Sequence, residues 1–205
     1  MPSLLLSIEG IVLSKELSGD SWLRLIVFSA QNGNVLCLKR LSQRKSLDSS
    51  IDFFDELQLN LESRNQGRSW FISEYHHLNN SQEIGKNYDA LIHASRFTKI
   101  LAGNTLHEES RRPVYQLFKN ALSAWRTGIR PEVTLLKSIY ILARDEGYPV
   151  KEDWCEKLPT RDRASLRSIL SSPVVEQKTS EQEAHSLLLS LEHYLNHYTD
   201  IQMPT

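Results

Sequence analysis

The sequence holds little that suits covalent or metal chemistry. There are two cysteines in 205 residues, Cys37 and Cys155, and they lie far apart. A structural zinc site needs four Cys or His ligands, usually in paired spacings. After Cys155 there is no further cysteine, and no histidine until His185. No glycine-rich phosphate loop occurs. Gly19-Asp20-Ser21 lacks the Gly-Lys-Ser/Thr ending that cradles nucleotide phosphates. No Gly-x-Ser-x-Gly nucleophile elbow occurs either. No apolar run is long enough for a membrane-spanning helix. The start, Met1 to Leu6, lacks basic residues, and its apolar run stops at Glu9, too short for a signal peptide. The expectation is a cytoplasmic protein with reduced cysteines and no membrane partner.

The remaining candidates for chemistry are weak. His76 and His77 are adjacent, so in an extended segment they point to opposite faces and ligate one metal poorly. His193 and His197 have the i, i+4 spacing of a helical metal pair, but no third ligand accompanies them. They read as solvated. Asp55 and Glu56 also face opposite sides of a strand, so neither they nor Asp52 form an acid–base pair. Neither a catalytic residue nor a metal or other cofactor is expected.

What the chain does have is a β-rich beginning. Leu4–Lys15, Trp22–Ser29 and Asn34–Leu41 are strand-like runs, separated by Ser18-Gly19-Asp20 and Asn32-Gly33-Asn34. Gly and Asn accept positive φ cheaply, so these clusters read as hairpin turns. Residues 42–52 read as a polar loop. Phe53–Leu61 reads as a fourth strand, with Leu57, Leu59 and Leu61 alternating against polar neighbours. Trp70–Tyr75 reads as the fifth. Five short strands suit a small closed barrel, of which the OB-fold is the commonest. Cys37 reads as a small core residue.

Beyond Tyr75 the apolar period becomes helical. Ile84, Tyr88, Leu91, Ile92 and Ser95 share one face. Val114, Phe118, Ala121, Leu122 and Trp125 share another. A helix opens at Pro131, which has no N–H to leave unpaired, and carries Leu135, Leu136, Ile139, Tyr140 and Ala143. Residues 147–160 read as a loop, followed by a short helix near Asp162–Ser171. The last helix opens with a capping box at Ser180 and Glu183 and presents Leu187, Leu188, Leu191, Tyr194, Leu195 and Tyr198. The fold class is α+β: an OB-fold domain over 1–78, then a helical bundle over 79–205.

The formal net charge is −1, which by itself favours no polyanionic partner, but local patches steer association more than totals do. Lys39, Arg40, Arg44 and Lys45 cluster, with no acid from Gln31 to Leu47. OB barrels bind nucleic acid on one face and its adjoining loops, with cations on phosphates and aromatics on bases. The four cations, with Arg24 and Trp22, are the candidate DNA-binding residues. Phe28, Phe53, Phe54, Trp70 and Phe71 are further aromatics, most of them needed by the core. Residues 86–137 carry nine Lys and Arg against four Asp and Glu. There, Arg111, Arg112, Lys119 and Arg126 are candidates for an acidic partner, and Arg96, Lys99 and Arg130 could extend the basic surface.

These residues carry a resemblance. Gly10-Ile11-Val12-Leu13, Gly19-Asp20, the apolar strand Leu23 to Phe28, Ser29, Gly33 and Arg44-Lys45-Ser46 together resemble the N-terminal signature of the RecO family of bacterial recombination mediators. Further on, the stretch from Leu135 through Gly147-Tyr148-Pro149 to Cys155 is similar to that family's helix, Gly-Tyr-x-Pro turn and first cysteine. Asp20 stands where the family has Glu, Trp22 where an acid is usual, and Ser29 where it has Thr. Many members carry four zinc-ligating cysteines after that turn, of which only Cys155 is present here. The resemblance implies an OB-fold before a helical domain. It implies binding of single- and double-stranded DNA, strand annealing, cooperation with RecR, and contact with the C-terminal tail of single-stranded-DNA-binding protein, so that RecA can load. The competing expectation is an OB-fold protein-interaction adaptor without strong DNA binding.

Overall fold

The computed structural model describes residues 3–41 and 51–204. Its class is α+β: a five-stranded sheet followed by six helices. The chain divides into two compact units, residues 1–81 and 82–205.

The first unit contains β1 (Leu4–Ser18), β2 (Trp22–Ser29), β3 (Gly33–Arg40), β4 (Glu56–Ser63) and β5 (Trp70–Asn79). The strands form a closed ring in the order β1-β2-β3-β5-β4, with β4 returning to β1. All seams are antiparallel except β3–β5, which is a short parallel one through Cys37–Trp70 and Leu38–Phe71. The β2–β3 hairpin turns at Gly33, whose φ of 65° lies where a side chain is strained.

β1 is long because it serves two neighbours. Leu4–Ile11 pairs with β4 and Ile11–Ser18 with β2. The strand bends between these halves, with an irregularity between Val12 and Ser14 that leaves Leu13 as the extra residue of a bulge. At the bend Gly10 is pressed against β2. A Cβ there would lie 2.9 Å from the Phe28 carbonyl oxygen, so only glycine fits without moving backbone.

Alternate residues fill the ring. Ile8, Val12, Leu23, Leu25, Val27, Val35, Cys37, Leu57, Leu59 and Leu61 form its core with Ile51. Cys37 is fully buried, and burial pushes its thiol up to about 12. β4 begins three residues later than the apolar pattern suggests. Phe54 has a φ of 67°, and the Asp55 carboxylate accepts the Asp52 N–H at 2.8 Å and the Ser81 N–H at 3.3 Å. Phe53 to Asp55 are therefore a carboxylate-pinned turn rather than strand.

The second unit contains α1 (Tyr88–Gly103), α2 (Glu108–Thr127), α3 (Pro131–Asp145), α4 (Val150–Asp153), α5 (Thr160–Ser171) and α6 (Glu181–Tyr198). Trp125, Phe97 and Phe118 are fully buried together, with ring centroids 5.7 to 6.1 Å from Phe97. The Trp125 indole donates to the Pro131 carbonyl at 3.1 Å. The apolar stripes expected on α2 and α3 are buried. On α6 the stripe is buried through Leu195, and Tyr198 is exposed. The Ser180–Glu183 capping box forms. The stripe on α1 is reversed: Ala90, Ala94, Phe97 and Leu101 face the core, while Tyr88, Leu91 and Ile92 are exposed. Ile84 is buried, but in a separate 3-10 turn ahead of the helix. Residues 147–160 hold α4 and a 3-10 turn instead of plain loop. Among the described residues no helix is long and apolar enough to cross a membrane.

Candidate nucleic-acid interface

Register decides which side chains share a surface. In β2 and β3 the paired residues Leu23–Lys39, Leu25–Cys37 and Val27–Val35 are the inward set. The outward set is Trp22–Arg40, Arg24–Leu38 and Ile26–Leu36. Leu38 continues to Phe71 on β5, and Arg24 continues to Glu16 on β1. With Phe71 of β5 added, this outward set carries two aromatics, two arginines and three aliphatics.

Trp22 and Phe71 meet edge to face across the intervening β3, with centroids 5.5 Å apart and planes at 66°. Both rings are only partly buried. Such rings offer faces on which unpaired bases stack, and arginines beside them can reach the connecting phosphates. Arg24 and Arg40 are exposed on either side. Arg24 makes an ion pair with Glu16 at 3.4 Å.

The adjacent outer surface, over β4 and β5, differs. It presents Gln58, Asn60, Glu62, Glu74 and His76. Asn60 donates to Glu74 at 3.1 Å and accepts from Ser7 at 3.0 Å. This side is polar and acidic, and among the described residues its rings are the His76 imidazole and, at the margin, Phe71. The exterior of the ring is therefore sided.

Of the expected DNA-binding residues, Trp22, Arg24 and Arg40 come together on this face. Lys39 does not. It belongs to the inward set, and its Nζ donates to the Tyr75 hydroxyl at 2.8 Å and lies 4.0 Å from the ring centroid. The alternation of a strand sends neighbours to opposite sides, so Arg40 faces out where Lys39 faces in. Arg44 and Lys45 lie outside the described residues. Phe28 and Phe54 are buried, while Phe53 is exposed in the turn before β4.

Sequence reading passed over Glu16 and Tyr75. Tyr75 meets Lys39 from a strand distant in sequence, and Glu16 meets Arg24 through the register of the β1–β2 hairpin; residue pattern alone carries neither pairing. Phe71 was visible as an aromatic, and its place opposite Trp22 follows only from the parallel β3–β5 seam.

Arg111, Arg112, Lys119 and Arg126 all lie on α2. At 100° per residue Arg112, Lys119 and Arg126 fall within about 40° of one another on one side of the helix, while Arg111 lies at the edge of the buried stripe, between Phe118 and Leu122; of the four only Arg112 is exposed. Lys119 approaches the Tyr115 ring at 5.9 Å. Arg96 and Arg130 serve the fold instead. Arg96 pairs with the buried Glu192 at 2.6 Å. Arg130 donates to Glu132 at 2.6 Å and to the carbonyls of Gln177 and Thr179.

His76 is exposed and His77 is on the opposite, inner side, 3.5 Å from Asp55. Burial pushes the Asp55 carboxyl above the ordinary range, partly offset by the Asp52 and Ser81 N–H groups and by His77. Among the described residues no three His, Cys, Asp or Glu side chains are grouped to hold a metal ion. No protein-family model matches the chain, and no curated protein matches it significantly.

Proposed function

We propose that the chain is a non-enzymatic, DNA-binding recombination mediator of the RecO type, acting in the cytoplasm, whose first unit is an OB-fold barrel. It binds and anneals DNA and, with RecR, helps load RecA onto strands covered by single-stranded-DNA-binding protein. The observation that carries this reading is the outward Trp22–Phe71 pair flanked by Arg24 and Arg40. Trp22, Arg24 and Arg40 lie on the second and third strands of a five-stranded ring, the face that OB-folds use for oligonucleotides, and Phe71 lies beside them on the fifth. The ring order, with its parallel seam between the third and fifth strands, supports the OB assignment. The α2 cations are the proposed contact for the acidic tail of single-stranded-DNA-binding protein, since carboxylates pair well with arginine.

The test is fluorescence anisotropy with labelled DNA at two salt concentrations, together with an annealing assay on complementary oligonucleotides. Salt-sensitive binding that is lost in Trp22→Ala/Arg40→Ala, with accelerated annealing by the wild type, supports the reading. No binding at low salt sinks it in favour of a protein-interaction adaptor.

A further inference from the structure

Resting on the nucleic-acid reading above, we propose that the β2–β3 face selects single strands over duplex, and that Glu16 sets this selectivity by neutralising Arg24. Among the described residues, four charged side chains are in register on this face and its margins: Arg24, Arg40, Glu16 and Glu62. Glu16 lies directly opposite Arg24, with Oε2 3.4 Å from the guanidinium. Glu62 lies directly opposite Phe71. The two arginines are thus matched by two carboxylates, one of them held in place by its strand.

Duplex DNA presents phosphates, while its bases are stacked on each other and closed to a protein ring. A face whose charges cancel gives such a ligand little attraction. A single strand presents bases as well. Trp22 and Phe71, inclined at 66°, make a notch in which an unstacked base lies against a ring, and stacking of this kind is independent of net charge. Phosphate contact then falls mainly to Arg40, directly opposite Trp22. Glu16 acts as a built-in competitor: a phosphate reaches Arg24 only by displacing a carboxylate already there. Removing that carboxylate adds one phosphate contact for either ligand, and the gain is larger on the duplex because its charge density is higher.

The experiment uses the full chain, an oligothymidylate and a mixed-sequence duplex of equal length, with affinities read across a salt series. The wild type is expected to bind the single strand at least about tenfold more tightly than the duplex. Glu16→Gln is expected to tighten both and to steepen the slope of log affinity against log salt by about 0.7 on the single strand and about 0.9 on the duplex. Trp22→Ala is expected to weaken the single strand about tenfold and leave the duplex within about twofold, with Trp22→Phe restoring most of the loss. Circular dichroism checks that each variant is folded. If Trp22→Ala is not, Trp22→Phe and Glu16→Gln decide. Equal affinity for the two ligands, or an unchanged slope in folded Glu16→Gln, overturns this inference and leaves the nucleic-acid reading standing. Absence of binding to either ligand overturns that reading itself.

Discussion

The Lys39 ammonium rests on Tyr75, donating to its hydroxyl at 2.8 Å with the ring centroid 4.0 Å away. Lys39 is on β3 and Tyr75 on β5, and both belong to the inward set of the ring. One contact combines a hydrogen bond with a cation–π interaction. It separates Lys39 from Arg40, its neighbour in sequence.

That separation gives the first prediction. Lys39→Met should leave the salt dependence of DNA binding unchanged, because the ammonium is committed to Tyr75. Arg40→Ala should flatten the slope by about 0.7 on a single strand. Tyr75→Phe should cost about 1 kcal/mol in urea denaturation, the usual net worth of one hydrogen bond. A slope that responds to Lys39 and not to Arg40 would place the phosphate path on the other side of β3.

Asp55 gives a pH dependence. Its folded pKa is raised by burial. Between the ordinary aspartate value and the raised one, the folded chain holds a proton that the unfolded chain has released. This group's contribution to stability is therefore full below the ordinary value and is lost as pH rises through the raised one. Asp55→Asn should flatten that part of the profile. Chemical denaturation of both proteins at a series of mildly acidic pH values measures it, and superimposable profiles would contradict the assignment.

Gly10→Ala should destabilise the ring by about 2 kcal/mol or more, because the new methyl meets backbone, the Phe28 carbonyl at 2.9 Å, and overpacking against backbone is relieved only by moving a strand. Thermal melts of the two proteins decide this. An unchanged midpoint would mean that β1 slides past β2 at little cost.

The cations of α2 make a prediction independent of the sheet. Arg111→Glu/Arg112→Glu should abolish binding of an acidic peptide ending in an apolar residue while leaving oligothymidylate affinity on the β2–β3 face within about twofold. Peptide binding unaffected by the double reversal would remove α2 from the partner surface.

Much of this architecture is legible in the amino-acid order, because period-two alternation is local. Leu57, Leu59 and Leu61 mark the inner side of β4 without any partner. The start of that strand is not legible, because Phe53-Phe54 reads as β while the Asp55 side chain holds the backbone in a turn. On α1 two apolar stripes interleave. The one with larger side chains, Tyr88, Leu91 and Ile92, looks like the core face. The buried one uses Ala90 and Ala94, whose small size permits close helix contact. The interface was half legible: residue type singles out Trp22, Arg24 and Arg40. The Phe71 contact and the Lys39–Tyr75 contact depend on which distant strands become neighbours, and the Glu16 pairing depends on the exact register of the β1–β2 hairpin.

The double duty of β1 bears on how the ring forms. Its second half can zip onto β2 as soon as the hairpin turn is made, a local event. Its first half must wait for β4, since Ile8 pairs with Leu59, and such long-range closure is slow because the loop entropy is lost before contacts compensate it. The early intermediate should therefore be a β1–β2–β3 meander with Leu4–Ile11 unpaired, an apolar edge open to other chains. Newly made protein would be most prone to aggregate in that interval, and a charged substitution at the exposed Leu5 would protect it without touching the finished core.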